Sequence, residues 1–286
     1  MHQHDSIGRA LAKICLILVV LSSPAWAQGD LPAQGQFAEL NGIKMYYETY
    51  GSGTPLVLLH GFGGSSADWA RFIPDLTKYF RVIVIDLRGH GRSTNPMNRF
   101  THKQAALDVY ALLDQLGISK FKAMGASTGG MTLIHMATQQ PSRVESMVLI
   151  GATIYFPEQA RAIMRKATPD NMTPEEWKEA RQNHKLGDEQ ILALRNEFYN
   201  FKDSYDDMNF TSPFLSTITA ETLIIQGDRD EYFPVGIPVE MYRSIPHSYL
   251  WIVPNGSHAP PSEHMEEFRK VTQEFLRGDW QQKKAQ

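Results

Sequence analysis

The strongest constraint on the fold of this chain is an alternation of short apolar runs with longer amphipathic stretches. Seven segments have strand character, and the continuous apolar ones are too short for helices. They are residues 43–51, 56–60, 81–86, 121–126, 144–151, 222–227 and 249–254. Stretches of helical length follow several of them, at 66–80, 103–117 and 129–141. This alternation is typical of βαβ units with right-handed crossovers, so the sequence predicts an α/β protein with a mostly parallel sheet.

One segment interrupts the alternation. Residues 153–217 are rich in charged residues and have a helical pattern with no strand pattern. They include "TPEEW", in which Thr173 and Glu176 form a capping box, and a second helical stretch at 188–201. We predict a helical cap here, over the carboxyl edge of the sheet where open α/β sheets bind ligands. The core would then comprise residues 28–152 and 218–286.

The first 27 residues have the layout of a secretory signal peptide. Arg9 and Lys13 precede the apolar run 14–21, and "PAWA" ends at Ala27. The run is too short to cross a bilayer core of about 30 Å. We therefore expect cleavage after Ala27, no stable membrane anchor, and export to the periplasm or medium of a bacterium. Residues 28–35 are interpreted as a flexible leader.

Composition limits the partners of the protein. A net charge of −3 and a pI near 6.4 give no electrostatic basis for binding nucleic acid or an anionic membrane. The single cysteine, Cys15, lies in the segment expected to be removed, so the mature chain has no disulfide, thiolate metal site or cysteine nucleophile. No histidines have zinc-ligand spacing such as H-E-x-x-H. We expect a small-molecule partner and no metal or cofactor, and the oligomeric state stays open.

The stretch "GASTGG" contains a candidate nucleophile. Ser127 lies between Gly125 and Gly129, after a candidate strand and before a candidate helix. That is the setting of a G-x-S-x-G nucleophile elbow, in which a sharp turn raises the hydroxyl above the sheet. The alternative is a Ser/Gly-rich helix start. It accounts for the glycines but not for the companion residues.

Three further motifs supply what an acyl-transfer site needs. "HGFGG" follows a buried strand and offers the Phe62 N–H as an oxyanion donor, with the Thr128 N–H as the second. "QGDRD" offers Asp228 and Asp230, and "NGSHAP" offers His258. Nucleophile, acid and base come in the order Ser, Asp, His, each just past the end of a strand.

These motifs identify a family resemblance. With "DLRGHGRS" at 86–93, the chain resembles the α/β-hydrolase superfamily over about residues 36–278. The resemblance implies an eight-stranded, mostly parallel sheet and a catalytic triad of Ser127, His258 and Asp230. The acid corresponds to the second aspartate of "GDRD", which leaves Asp228 a structural role.

The serine at the elbow narrows the range of reactions that the chain could catalyse. Dehalogenases and epoxide hydrolases of this fold use aspartate at the elbow, so the resemblance favours a carboxylic ester hydrolase that forms an acyl-enzyme. The alternatives are a perhydrolase or non-haem haloperoxidase-like enzyme, a C–C bond hydrolase, and a ligand-binding protein without turnover. An exported enzyme fits C–C hydrolysis of ring-fission products poorly, and non-catalytic members usually lack a triad residue.

Aromatic residues hint at the substrate. They are concentrated in the cap and beside the acid loop, and we expect more than half to serve only packing. They are Tyr155, Phe156, Trp177, Phe198, Tyr199, Phe201, Tyr205, Phe210, Phe214, Tyr232 and Phe233. A wide apolar pocket with polar tips suits a bulky ester or lactone, with macrolide-type lactones as one candidate class.

The remaining histidines receive structural interpretations. His60 and His90, in glycine-flanked motifs, are predicted to brace loops, and His135 to be partly buried. A further group reads as surface or capping residues: His102, His184, His247 and His264.

Overall fold

The apolar runs become strands of one sheet. The computed structural model describes residues 34–260 and 264–280, and within these residues eight strands form a single sheet. The strands are β1 (Gln34–Leu40), β2 (Ile43–Tyr50), β3 (Thr54–Leu59), β4 (Phe80–Ile85), β5 (Phe121–Ala126), β6 (Val144–Ile150), β7 (Glu221–Gly227) and β8 (Ser248–Val253). The expected signal peptide lies outside the described residues, as does most of the expected leader.

The strand order places the carboxyl ends of six strands at one edge. The order is β1-β2-β4-β3-β5-β6-β7-β8. β2 runs antiparallel to both of its neighbours, and all pairs from β4 to β8 are parallel. Loops that follow β3, β5, β7 and β8 therefore emerge on the same side of the sheet. The predicted α/β-hydrolase fold with a mostly parallel sheet is confirmed.

β1 is the strand that the residue pattern did not predict. Residues 34 and 35 were assigned to a flexible leader, but they pair with Thr49 and Glu48 of β2. β1 is an edge strand, bonded to β2 alone, and its Phe37 is half exposed. Such a strand needs little apolar sequence, so its pattern is weak.

Helices flank the sheet and fill the segment between β6 and β7. In the described residues they are α1 (Ile73–Leu76), α2 (His102–Gln115), α3 (Thr128–Gln139), α4 (Glu158–Met164), α5 (Pro174–Asn183), α6 (Asp188–Asn200), α7 (Ser212–Leu215), α8 (Gly236–Ser244) and α9 (Met265–Arg277). Short 3₁₀ turns lie at Ser66–Trp69, Pro169–Asn171 and Phe201–Asp203. The predicted capping box at Thr173 and Glu176 starts α5.

The helix predicted over 66–80 is wrong. The segment forms a 3₁₀ turn and then α1, and β4 already begins at Phe80. Pro74 is the physical reason, because it has no N–H to continue a helix from the preceding turn but fits the first turn of a new one.

The core lies on both faces of the sheet. Along β3, Val57 and Leu59 pack on the face covered by α2, α3 and α8, whereas Leu56 and Leu58 pack on the face covered by α1 and α9. Because both faces are buried, the strand reads as a continuous apolar run. No helix in the described part of the chain is long and apolar enough to cross a membrane.

Polar contacts join the segment between β6 and β7 to the rest of the molecule. The Glu197 carboxylate accepts from the Phe100 N–H at 2.7 Å. Asp207 accepts from the His102 N–H at 2.8 Å and the Lys103 N–H at 3.2 Å, which caps the start of α2. We call residues 153–217 the cap below.

Candidate active site

Ser127 stands at a sharp turn between β5 and α3. Its backbone has φ 48° and ψ −114°, a region that non-glycine residues rarely occupy. The turn is held by hydrogen bonds from the Ser127 N–H to the Ile150 carbonyl at 2.7 Å and from the Met131 N–H to the Ser127 carbonyl at 2.9 Å. Strain of this kind persists only where surrounding structure enforces it, and it is common at active sites.

The glycines beside Ser127 permit close approach of backbone segments. A β-carbon at Gly125 would lie 2.5 Å from the carbonyl carbon of Gly129. One at Gly129 would collide with the carbonyl oxygen of Leu59 in β3. Both positions therefore exclude a side chain for a steric reason. The elbow, rather than a flexible loop, accounts for the motif.

The three residues predicted as a triad lie in contact. His258 Nε2 is 3.0 Å from Ser127 Oγ, and His258 Nδ1 is 2.8 Å from Asp230 Oδ2. Ser127 follows β5, Asp230 follows β7 and His258 follows β8, so three parallel strands of the sheet bring them to one edge. With Nδ1–H donated to the carboxylate, Nε2 is free to accept the serine hydroxyl proton. The arrangement can activate a hydroxyl for attack on a carbonyl.

Asp230 is held by four hydrogen-bond donors. Oδ1 accepts from the Tyr232 N–H at 2.7 Å and the Phe233 N–H at 3.0 Å. Oδ2 accepts from Gln226 Nε2 at 2.5 Å as well as from His258. The Asp230 side chain is fully buried. Its orientation is thus fixed from two sides.

Asp228 is placed differently. Its carboxylate lies 3.8 Å from Arg229 Nε, and its N–H donates to the Val253 carbonyl. The structure brings Asp230, and not Asp228, against His258. Gln226 was missed by the sequence analysis, although a buried polar residue at the end of an apolar strand was a usable signal.

The loop after β3 lies against the serine. A β-carbon at Gly61 would lie 3.6 Å from Ser127 Cβ, and Phe62 lines the same cavity as Ser127 and Thr128. Thr128 is the first residue of α3, so its N–H has no partner within the helix ladder. Both predicted oxyanion donors therefore belong to segments that adjoin the hydroxyl.

Buried side chains brace this loop from behind. His60 Nδ1 donates to the Gly61 carbonyl at 2.7 Å, and His60 Nε2 accepts from the Leu87 N–H at 3.0 Å. Burial lowers the pKa of His60, which keeps the ring in this neutral form. Asp86 accepts from the Ser66 N–H at 2.6 Å and the Arg92 N–H at 2.8 Å. The predicted bracing role of His60 is confirmed, whereas Asp86 was missed.

Two of the histidines predicted as surface or capping residues are buried. His102 and His184 are 0% and 5% exposed, because each packs between the cap and the core. His102 Nδ1 contacts the Asp207 carboxylate at 2.6 Å. Surface exposure is wrong for both, because no local pattern shows where the cap docks, whereas His184 does cap the C-terminal end of α5.

A cavity that is open to solvent has Ser127 and His258 in its wall. Of the aromatic residues singled out in the sequence, five line it: Phe156, Phe198, Phe201, Tyr232 and Phe233. Tyr155, Tyr205 and Phe214 are exposed, and Phe210 packs in the core. Most of the cap aromatics therefore do not reach the cavity, as expected.

The cavity wall also carries one pair of charged residues, Asp68 and Arg71. Burial raises the pKa of Asp68 to about 7, with the nearby Asp86 adding to the rise and the Ser65 N–H and Arg71 opposing it. The remaining walls are mostly apolar. In the part of the chain that the structure describes, no cluster of three histidine, cysteine or acidic side chains could hold a metal ion.

Comparison with known proteins gives consistent matches. A family model described as the alpha/beta hydrolase fold matches residues 54–216. The 2-hydroxy-6-oxononadienedioate/2-hydroxy-6-oxononatrienedioate hydrolase of Burkholderia vietnamiensis is 28% identical over 269 residues, which cover 82% of this chain and 91% of that protein. The soluble epoxide hydrolase of a Corynebacterium species is 41% identical over 113 residues, so the match spans only 40% of its length.

A solved structure adds a lactone-degrading relative. Est816, described as an N-acyl homoserine lactone degrading enzyme, aligns with a TM-score of 0.66 at 25% identity. The alignment covers 84% of this chain and 100% of that one.

Proposed function

The chain belongs to the α/β hydrolase family, and from this premise we propose that it is a serine hydrolase that cleaves a carboxylic ester or lactone through an acyl-enzyme. The observation that carries the proposal is the continuous contact from Ser127 Oγ through His258 to Asp230 Oδ2. A hydroxyl, a base and an orienting acid in this order are the elements of nucleophilic acyl transfer.

The proposed reaction uses these atoms in two halves. His258 Nε2 accepts the hydroxyl proton as Ser127 Oγ bonds to the carbonyl carbon, and passes it to the alkoxide as the C–O bond breaks. Water then repeats the sequence on the acyl-enzyme, and its proton returns through His258 to Ser127 as the acid leaves. Asp230 orients the imidazole and stabilises its charged form. The Phe62 and Thr128 N–H groups would bind the oxyanion of each tetrahedral intermediate.

Epoxide hydrolysis is incompatible with the nucleophile. Attack of a carboxylate on an epoxide gives an ester, and water can hydrolyse this ester at its carbonyl carbon. Attack of Ser127 would give an alkyl ether, which has no carbonyl and would not turn over. The similarity to the epoxide hydrolase therefore concerns the fold and not this reaction.

C–C bond hydrolysis is the second candidate, because a hydrolase of 2-hydroxy-6-oxo dienedioates aligns with most of the chain. Substrates of that kind carry carboxylates, which need cationic partners in an apolar pocket. Among the described residues that line the cavity, Arg71 is the only lysine or arginine, and it interacts with Asp68. A dienedioate carries two carboxylates and these lining residues offer it one guanidinium, which favours a neutral ester or lactone.

The shape of the cavity supports a bulky, apolar substrate. Phe156, Phe198 and Phe201 of the cap line the cavity together with Ser127, as do Tyr232 and Phe233 of the acid loop. Such walls suit a long acyl chain or a large ring. N-acyl lactones and macrolide-type lactones are the two classes that we propose to examine first.

Export is part of the proposal. Residues 1–27 have the layout of a signal peptide. Expression of the full chain in a Gram-negative bacterium should yield periplasmic protein whose N-terminal sequence begins at Gln28. A cytosolic product that retains Met1 would contradict this.

A substrate panel tests the proposed reaction. Purified protein would be incubated with p-nitrophenyl esters, N-acyl homoserine lactones, a macrolide and a 2-hydroxy-6-oxo dienoate, with products read by mass spectrometry. We expect ester cleavage and addition of one water to at least one lactone, both abolished in S127A. Faster cleavage of the dienoate than of every ester and lactone would instead establish C–C hydrolysis.

A further inference from the structure

The cap contacts the loop that would form the oxyanion site. α5 ends at Asn183, and His184 is its C-terminal capping residue. Asn183 Nδ2 donates to the Gly63 carbonyl at 3.3 Å. Gly63 is the residue after Phe62, whose N–H is one of the two proposed oxyanion donors.

His184 lies between this loop and a second one. Its Nδ1 accepts from the Gly91 N–H at 3.0 Å, so in the neutral ring the proton is on Nε2. The Gly63 carbonyl also interacts with the ring, where it favours the protonated form and opposes the effect of burial on the pKa of His184. Burial lowers the pKa of His184 to about 3, with His60 contributing, so the ring is neutral at ordinary pH.

The ring of Phe62 is held in the same cluster. It packs edge-on against His90 at 4.8 Å between centroids, and His90 packs against His184 at 5.9 Å. The backbone of the loop has a tight turn, with the Gly64 N–H donating to the Gly61 carbonyl at 3.1 Å and Gly63 at φ 77°. The Gly63 carbonyl and the Gly64 N–H share one peptide plane, and the Gly61 carbonyl and the Phe62 N–H share another. The hydrogen bond from Gly64 to Gly61 therefore couples the direction of the Phe62 N–H to that of the Gly63 carbonyl.

We infer that His184 and Asn183 are positioning residues for the reaction: by holding the Gly63 carbonyl, the cap fixes the direction of the Phe62 N–H. The inference rests on the proposed function. It means that the oxyanion site is complete only when the cap is docked, so the cap contributes to the chemical step and not only to substrate binding.

Two substitutions separate the bonds that His184 makes. In H184N the amide oxygen can replace Nδ1 and keep the bond to Gly91, while the contact with Gly63 is lost. In H184Q the amide nitrogen can replace Nε2 and keep the contact with Gly63, while the bond to Gly91 is lost. The inference predicts that H184N lowers kcat about ten- to a hundredfold with little change in KM, since misplaced groups cost about this much. H184Q should retain kcat within about threefold.

A transition-state analogue and a control variant complete the experiment. The affinity of a trifluoromethyl ketone, which forms an oxyanion on Ser127, should fall with kcat in H184N and to a lesser degree in N183A. Gln190 also joins cap and core, through hydrogen bonds to the Gly89 and Gly91 carbonyls rather than to residues 60–64. Q190A should therefore keep kcat within about twofold.

The outcomes distinguish this inference from the function it rests on. Absence of ester and lactone turnover in the wild-type protein would overturn the proposed function. With an active wild type, an unchanged kcat in H184N, or an equal loss in Q190A at matched thermal stability, would overturn the positioning role.

Discussion

At the scale of single residues, Gln226 shows how the site is held. It is fully buried, and its Nε2 donates to Asp230 Oδ2 at 2.5 Å and to the Phe233 carbonyl at 3.1 Å. Within the described residues its Oε1 is buried without a hydrogen-bond partner, which costs stability. A function for the two donated bonds would explain why this cost in stability is kept: they orient Asp230 and, through Asp230, His258.

Replacing Gln226 with methionine tests this role. Methionine has a similar shape but no donor, and it also removes the orphaned oxygen, so the free energy of unfolding should change by less than about 1.5 kcal/mol. We expect kcat to fall about tenfold at unchanged KM, because the acid loses one of its supports. Steady-state kinetics and urea unfolding of Q226M measure the two quantities. Wild-type kcat in a folded Q226M would contradict the role.

The site residues that could be predicted from the sequence are those that lie in a recognisable motif directly after a predicted strand. Ser127, Asp230 and His258 each follow a strand within a recognisable motif. Gln226, Asp86 and His184 act only through contacts made in the folded chain. Their partners lie 4, 20 and 93 residues away, at Asp230, Ser66 and Gly91. Sequence spacing gives no direct signal for such contacts.

At the scale of elements, Arg161 organises the cap. Its guanidinium is buried and donates to the carbonyls of Phe156, Phe201, Lys202 and Ser204, at 3.0, 3.4, 2.5 and 2.7 Å. These bonds tie α4 to the turn that follows α6. They also fix Phe156 and Phe201, which stack with centroids 5.5 Å apart and line the cavity.

Removal of this guanidinium should loosen the cap. R161M leaves four carbonyls without their donor, and we expect a loss of about 2–4 kcal/mol in unfolding free energy. Cleavage by a protease within residues 153–217 should become faster. R181M is the matched control, because Arg181 pairs with Asp188 at the surface, with both side chains more than half exposed. Equal effects of the two substitutions on thermal stability and proteolysis would contradict the role of Arg161.

Elements with their own caps and periodicity were predictable, and those set by tertiary packing were not. α2, α3, α5 and α6 lie where the sequence pattern placed helices. β1 and the interruption of the helix before β4 were missed. An edge strand that pairs on one side only has a weak local pattern, and so does a helix that ends and begins again at a proline. How the cap docks depends on contacts such as Asp207 at the start of α2, which no local pattern encodes.

At the scale of the whole molecule, several buried histidines make the fold sensitive to acid. Burial lowers the pKa values of His60 and His90, of His135 to about 4, and of His184 to about 3. An unfolded histidine titrates near 6.5. At these positions the unfolded chain binds more protons between that pH and about 3–4, so the contribution of these histidines to stability is complete above pH 6.5 and falls as the pH decreases.

Urea unfolding at pH 7.5, 5.5 and 4.5 measures this dependence. H135Q can keep the hydrogen bond to the Asp207 carbonyl, which His135 Nε2 makes at 2.7 Å, without a titrating ring. We expect its loss of stability between pH 7.5 and 4.5 to be smaller than that of the wild-type protein. H247Q removes an exposed histidine and should follow the wild-type curve. Identical curves for H135Q and the wild type would contradict the linkage.

Labelling of Ser127 by a fluorophosphonate tests the central claim most directly, because the probe reacts only with a serine activated by its neighbours. Peptide mapping by mass spectrometry would locate the adduct in the wild-type protein, S127A and H258A. The account predicts stoichiometric modification of Ser127, none at that position in S127A, and labelling slowed by at least about a hundredfold in H258A. Folded wild-type protein that stays unlabelled, or that is labelled at another residue, would contradict it.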